Sequence, residues 1–207
     1  MSTTIRAAQV ADFIANPSSF SGYSATSHVT ITGEITYTQA DSLNAVDATY
    51  ISATVAETTV TNLGTISVDN SARTELNKFT FTVSDSSATA SELSTAQAKT
   101  SIAVDATNVD SIEASSASSI ITLYSATTVP TGISTIPISV NDTTISATSA
   151  NTINTYTTDT VTVTATTIEG GVATIETALA ASVADGNNGI FYDCLLYTSD
   201  AADDRLS

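Results

Sequence analysis

Six short segments alternate apolar and hydroxyl-bearing residues, and this alternation constrains the fold more than any other feature of the chain. They are Val29-Thr-Ile-Thr32, Ile51-Ser-Ala-Thr-Val55, Phe79-Thr-Phe-Thr-Val83, Ile102-Ala-Val104, Ile136-Pro-Ile-Ser-Val140 and Val161-Thr-Val163. A period of two sends successive side chains to opposite faces of an extended backbone, so each segment reads as a strand with one buried face. Val, Ile and Thr suit a pleated, half-buried surface, so propensity agrees with pattern.

The residues just after each strand keep a register of their own. Taking the last inward residue as an anchor, an apolar or small residue comes five positions later: Val55 to Val60, Val83 to Ala88, Val104 to Val109, Val140 to Ile145, and Val163 to Ile168. A hydroxyl lies three positions after each anchor, at Thr58, Ser86, Thr107, Thr143 and Thr166, and acidic residues crowd the positions between, at Glu57, Asp85, Asp105 and Asp142. A further apolar residue comes later in most units, such as Leu63, Ile112 and Val172.

This spacing resembles the leucine-rich repeat, a Leu-x-Leu strand followed by Asn and a further Leu. Val104-Asp-Ala-Thr-Asn-Val-Asp-Ser-Ile112 follows that pattern most closely, with Thr107 where the family places Asn. The resemblance spans roughly Val29 to Leu179, with Val and Ile replacing Leu, and Thr or Ser replacing Asn. It implies that the hydroxyls form a turn ladder, each able to donate and accept one bond.

Between the strands, several linkers read as short helices. Thr38–Val46 has a Thr cap and Ala40, Leu43 and Val46 at three-residue spacing; Ser149–Asn154, Ala90–Ala98 and Gly171–Ala180 are the other candidates. The stretch Thr3–Ile14 reads as a helix stopped by Asn16-Pro17. A strand-plus-helix unit of this length cannot cover its own apolar face, so neighbouring units must stack. The expected fold is a β/α solenoid, leucine-rich-repeat-like, with a single parallel sheet of about six short strands and short helices and turns on the other side. Its expected parts are an N-terminal helix or capping segment over 1–22, solenoid repeats over 23–189, and a tail over 190–207.

The tail stands apart. Cys194-Leu-Leu-Tyr-Thr-Ser-Asp-Ala-Ala-Asp203 matches, over ten consecutive residues, one reading frame of the transposase adapter used in sequencing libraries, and the resemblance extends to Asp204. On that reading Cys194 carries no information about redox compartment. Removing Asp200, Asp203, Asp204 and Arg205 from 21 acidic and five basic residues leaves 18 and four, a net charge of -14 in place of -16.

Charge and composition narrow the function. Five Lys and Arg in 207 residues are too few for nucleic acid, whose affinity comes mainly from neutralising phosphates, and the same balance disfavours an anionic membrane surface. No stretch approaches the roughly 18 apolar residues of a membrane span, and the segment Met1–Arg6 lacks the basic and apolar regions of a secretory signal. One His and one Cys leave few ways to build a His-ligated metal site or a Ser-His-Asp triad. No carboxylate pair stands out, and Trp, a frequent sugar platform, is absent.

Asp85, Asp105 and Asp142, near strand ends, are the candidate calcium ligands, since hard cations need several converging oxygens. The glycine-rich calcium loops that would support them are absent. Outward pairs such as Thr30/Thr32, Ser52/Thr54, Thr80/Thr82 and Thr162/Thr164 resemble the Thr ladders of ice-binding surfaces, with a plain soluble sheet face as the simpler reading. His28 reads as a solvent-facing edge residue, and Asn141-Asp-Thr143 is a glycosylation triplet only in a glycosylating host.

Thr/Ser/Ala-rich units with Gln39-Ala-Asp-Ser-Leu-Asn-Ala45-type helices resemble repeats of large secreted or surface proteins of bacteria, cyanobacteria included. That resemblance implies a non-catalytic structural or adhesive repeat segment, exported without a visible N-terminal signal. Its partners would be flanking repeats of the same polypeptide and extracellular ligands. The alternative is a ligand-binding solenoid for calcium, glycan or ice.

Overall fold

Among the described residues every strand pairing is parallel, and helices follow the strands along the chain. The computed structural model describes residues 2–67, 75–183 and 190–192. The chain divides into two compact units, one of Met1–Ser86, Glu92–Val109 and Ala126–Gly132, the other of Ser87–Ser91, Asp110–Ser125 and Ile133–Ser207.

In the first unit, β1 (Ser2–Arg6), β2 (His28–Ile35), β3 (Tyr50–Val55) and β4 (Lys78–Thr80) form a sheet in chain order. Helices α1 (Val10–Ala15), α2 (Tyr37–Leu43), α3 (Val60–Thr65) and, from Glu92 onward, α4 (Ala90–Gln97) complete it. Phe13, Phe79 and Phe81 are fully buried, each worth about 2–3 kcal/mol over exposure. The second unit holds a five-stranded sheet in the order β11-β9-β7-β6-β5 and a separate pair, β8 and β10. These strands are β5 (Ser87–Ala88), β6 (Ser111–Ser115), β7 (Ile138–Val140), β8 (Thr144–Ser146), β9 (Val161–Val163), β10 (Thr167–Glu169) and β11 (Ile190–Tyr192). Its helices are α5 (Ala117–Tyr124), α6 (Ala147–Asn154) and α7 (Val172–Val183).

The helices start by a common rule. Thr36, Thr59, Ser116 and Ser146 sit in extended backbone at the N-caps of α2, α3, α5 and α6, and each side chain accepts the amide three residues on. Buried residues then recur every third position: Ala40 and Leu43; Val60 and Leu63; Ala117, Ile120 and Leu123; Ala147, Ala150 and Ile153. A stripe that narrow covers one side of a short helix, which makes these helices dependent on the strands beneath them.

All five anchor valines are buried, as are all five apolar positions that follow them. The chain turns just after the anchors, however, and this corrects the expectation of a single sheet. Ala88, Ile145 and Ile168 belong to separate short strands, β5, β8 and β10, and the ladders shift register between Thr30 and Glu34 and between Ile112 and Ser115. The result is an α/β fold with several small parallel sheets, not closed into a barrel.

Three local expectations also change. Residues 2–6 are a strand rather than the start of a helix, because Thr3 and Ile5 alternate inward; the helix begins only at Val10, after a single 3-10 turn. Ile102–Val104 forms no strand, although Asp105 makes isolated parallel bridges to Thr82 and Thr131. Val172, expected inward, is 59% exposed. The adapter-like residues 194–204 lie outside the described residues.

Candidate functional site

The acidic residues that follow the anchor valines are the natural place to look for a site, and Glu57, Asp85, Asp105 and Asp142 each have a donor of their own. Asp85 Oδ2 accepts the backbone N–H of Val60 at 2.6 Å, and Asp142 Oδ2 accepts that of Ala117 at 2.5 Å. Val60 and Ala117 are the first residues of α3 and α5, whose leading amides have no partner inside the helix. A carboxylate there also meets the positive end of the helix dipole. Ser115 Oγ does the same, without charge, for the Ala90 amide that opens α4, at 3.0 Å. In all three cases the acceptor lies 25 residues beyond the amide.

Asp105 turns back on its own loop, its Oδ1 accepting the amide and hydroxyl of Thr107 at 3.1 and 2.8 Å. Asp85 and Asp105 belong to the first unit and Asp142 to the second. Among the described residues, no group of three or more His, Cys, Asp or Glu side chains is placed to hold a metal ion. Asp85 and Asp142 each engage a helix amide through Oδ2.

Two more carboxylates join distant parts of the first unit. Asn108 Nδ2 donates to the Val83 carbonyl and to Glu57 Oε1, both at 2.9 Å. The bridging amide comes from Asn108, one residue beyond the hydroxyl at Thr107. Asp41 Oδ1 accepts the Ser67 hydroxyl at 2.6 Å and the Ser67 amide at 2.7 Å. Those two bonds, the hydroxyl's first, hold the Asp41 carboxyl below its ordinary value, and the positive charge of Lys99 adds to the effect.

Asn77 organises the interior of the first unit. It is fully buried; its Oδ1 accepts the Ile51 amide and its Nδ2 donates to Asn44 Oδ1, both at 2.7 Å, while Asn44 Nδ2 donates to the Ser67 carbonyl at 2.8 Å. Asn154, aligned with Asn44 by sequence, leaves a buried Oδ1 without a partner. Thr100 and Thr157 share another role: each hydroxyl donates to an earlier carbonyl at 2.7 Å, on Phe79 and Ile136, and accepts the amide two residues on. Sequence reasoning missed Asn77 and these two threonines. Their signal is a polar residue four positions before an inward-facing apolar one, here Phe81, Val104 and Val161.

The outward face of the β1–β4 sheet carries a different chemistry. The exposed His28 ring stacks on Tyr50, with centroids 4.3 Å apart and planes at 25°, and the Lys78 ammonium lies 3.7 Å from the Tyr50 centroid. Glu75 stands 3.7 Å from Lys78. The expected Thr ladder is interrupted here: Ser52 pairs with Lys78, and Thr54 pairs with Glu34 on one side and Thr80 on the other.

No protein-family profile matches the chain, and neither a curated protein nor a solved structure shows significant similarity to it. No helix among the described residues is long and apolar enough to cross a membrane.

Proposed function

We propose that this chain is a non-catalytic structural or adhesive segment of a larger bacterial extracellular or cell-surface protein, built as a β/α solenoid whose coils are its strand–helix segments. The observation that carries the reading is the acceptor recurring 25 residues beyond the first amide of α3, α4 and α5. A fixed interval between equivalent bonds is what stacked coils produce, each satisfying the helix start of the one before. Consecutive coils then hold one another, and the same bonds would join this segment to flanking repeats. The turn carboxylates serve as caps, so the fold needs no divalent cation at those positions.

Calorimetric titration and thermal melting with calcium and with chelator test this. The expected result is no saturable site and an unchanged melting temperature. A stoichiometric calcium site with a large melting shift would replace the spacer with the ligand-binding alternative. Cleavage of any member of a polysaccharide panel would overturn the non-enzymatic reading. Small-angle scattering tests the architecture, for which stacked coils give an elongated particle.

A further inference from the structure

Tyr124 and Tyr156 stack face to face, with ring centroids 4.8 Å apart and planes at 5°. Aromatic pairs favour an offset stack of this kind over a direct sandwich. Carbon atoms in contact sit about 3.5–4 Å apart, so rings this parallel are displaced sideways by about 3 Å and meet edge over edge. Tyr124 is the last residue of α5, and its hydroxyl donates to the Ile133 carbonyl at 2.7 Å. Tyr156 comes two residues after the end of α6, its amide donating to the Ile153 carbonyl at 2.9 Å. Both belong to the second unit, in which α5 and α6 pack together, and 32 positions of chain separate them. Both are half-buried, so each keeps part of its surface open to solvent. Tyr23 and Tyr50 are placed differently, the first edge-on to Phe13 and the second against His28.

We infer that Tyr124 and Tyr156 form an oxidative cross-linking site, at which a peroxide-driven one-electron oxidant joins them as dityrosine. Composition directs oxidation to tyrosine. The chain has no Trp, one Met and one Cys, and thiols and thioethers are the side chains that otherwise absorb oxidant. Each tyrosine gives up one electron and its phenolic proton and becomes a phenoxyl radical. The two radicals couple through ring carbons next to their oxygens, forming one carbon–carbon bond. The hydrogens on those two carbons then shift to the oxygens, which restores both phenols. Two electrons and two protons leave in all, and one hydrogen peroxide, acting through a haem peroxidase, takes them up as two waters. The stack supplies what free tyrosines lack, a second ring already held beside the first. Tyr156, outside the helix, is the ring that turns to reach the twisted geometry of the linked pair. The bond closes a loop and constrains the unfolded state as a disulfide does, in a chain whose single Cys cannot form an internal disulfide.

The site does not depend on the structural and adhesive reading, which stands or falls separately. Treating the dilute protein with a haem peroxidase and hydrogen peroxide tests it, read by dityrosine fluorescence, intact mass and peptide mapping. The expected product is a monomer lighter by two hydrogens, in which one linked peptide pair contains Tyr124 and Tyr156. Its melting temperature should exceed that of the untreated protein. Tyr124→Phe and Tyr156→Phe should each reduce the monomer's dityrosine signal to background, and Tyr50→Phe should leave it unchanged. If Tyr124→Phe melts early through loss of its hydrogen bond, Tyr156→Phe carries the comparison. A monomer linked through other tyrosines, full dityrosine yield in folded Tyr156→Phe, cross-linked dimers alone, or no dityrosine would each overturn the site.

Discussion

The Asp142 carboxylate accepts the backbone N–H of Ala117 at 2.5 Å, so the opening amide of α5 is satisfied by a residue 25 positions further along the chain. Asp85 and Val60 repeat the arrangement at α3. Each bond removes one of the unpaired donors at a helix start and places negative charge at the positive end of the dipole. Replacing either Asp by Ala should cost about 1–2 kcal/mol. Asn, which keeps an acceptor oxygen and loses the charge, should cost less. Urea unfolding of the four single variants checks the order; equal losses for Ala and Asn would show that charge, not acceptance, dominates.

Two glycines should respond to alanine with opposite signs. Gly132 has φ +89°, and a Cβ there would lie 2.7 Å from Thr107 Cα and 2.8 Å from Thr107 N, both unable to swing aside. Backbone overlap and left-handed strain together put Gly132→Ala at a loss of about 3 kcal/mol. Gly64, inside α3, would place its Cβ 3.6 Å from the Thr95 methyl group, an ordinary contact. There the gain in helix propensity, up to about 1 kcal/mol, should raise the melting temperature.

The Asn44–Asn77 pair should behave as one unit. Asn77→Ala strips the partner from both the Ile51 amide and Asn44 Oδ1, and a buried group left unpaired costs about 1–3 kcal/mol. The double variant with Asn44→Ala should therefore lose less than the sum of the singles, by at least about 0.5 kcal/mol in a double-mutant cycle. Additive losses would show that each Asn is replaceable on its own.

What the sequence disclosed and what it hid divide along physical lines. The period-two alternation placed β2, β3, β7 and β9 because those strands each bury one side. It was blind to β5, which is two residues long, and to β6, whose Ser-Ile-Glu-Ala-Ser carries a single large apolar residue. The strand β1 was hidden because Thr3, a polar residue, fills an inward position. Helix α5 was legible in retrospect from Ser116 and the three-residue spacing of Ala117, Ile120 and Leu123. The acidic turn positions were visible as a pattern, yet their partners were not, because a bond across 25 residues depends on how segments stack. Metal ligation and helix capping ask for the same residue type, so the pattern alone did not point to the Val60 and Ala117 amides.

Asp41 supplies an acid-sensitive contact. Its folded pKa lies below the ordinary value of 3.8 through the Ser67 hydroxyl and amide. A lowered folded pKa contributes stability that is present above the unfolded value and lost as pH falls through the folded one. Asp41→Asn should therefore unfold with a shallower dependence on pH below about 4 than the parent, followed by circular dichroism. An identical acid limb in both would assign the sensitivity to other carboxylates.

Tyr124 sets the alkaline limb in the opposite sense. Its ring lies parallel to that of Tyr156, with centroids 4.8 Å apart, and its hydroxyl donates to the Ile133 carbonyl at 2.7 Å. Burial pushes its pKa well above the ordinary 10.0. The unfolded chain then releases a proton that the folded chain retains, so stability is full below about pH 10 and declines as pH rises beyond it. Of the seven tyrosines, Tyr124 should ionise only together with cooperative unfolding when absorbance at alkaline pH is followed beside circular dichroism. Tyr124→Phe should lose about 1 kcal/mol at neutral pH with the hydrogen bond. It should then unfold at a higher alkaline midpoint relative to its own neutral stability, because the group that drives the decline is gone. Ionisation of all seven tyrosines before any loss of structure would refute the buried, bonded hydroxyl as the alkaline trigger.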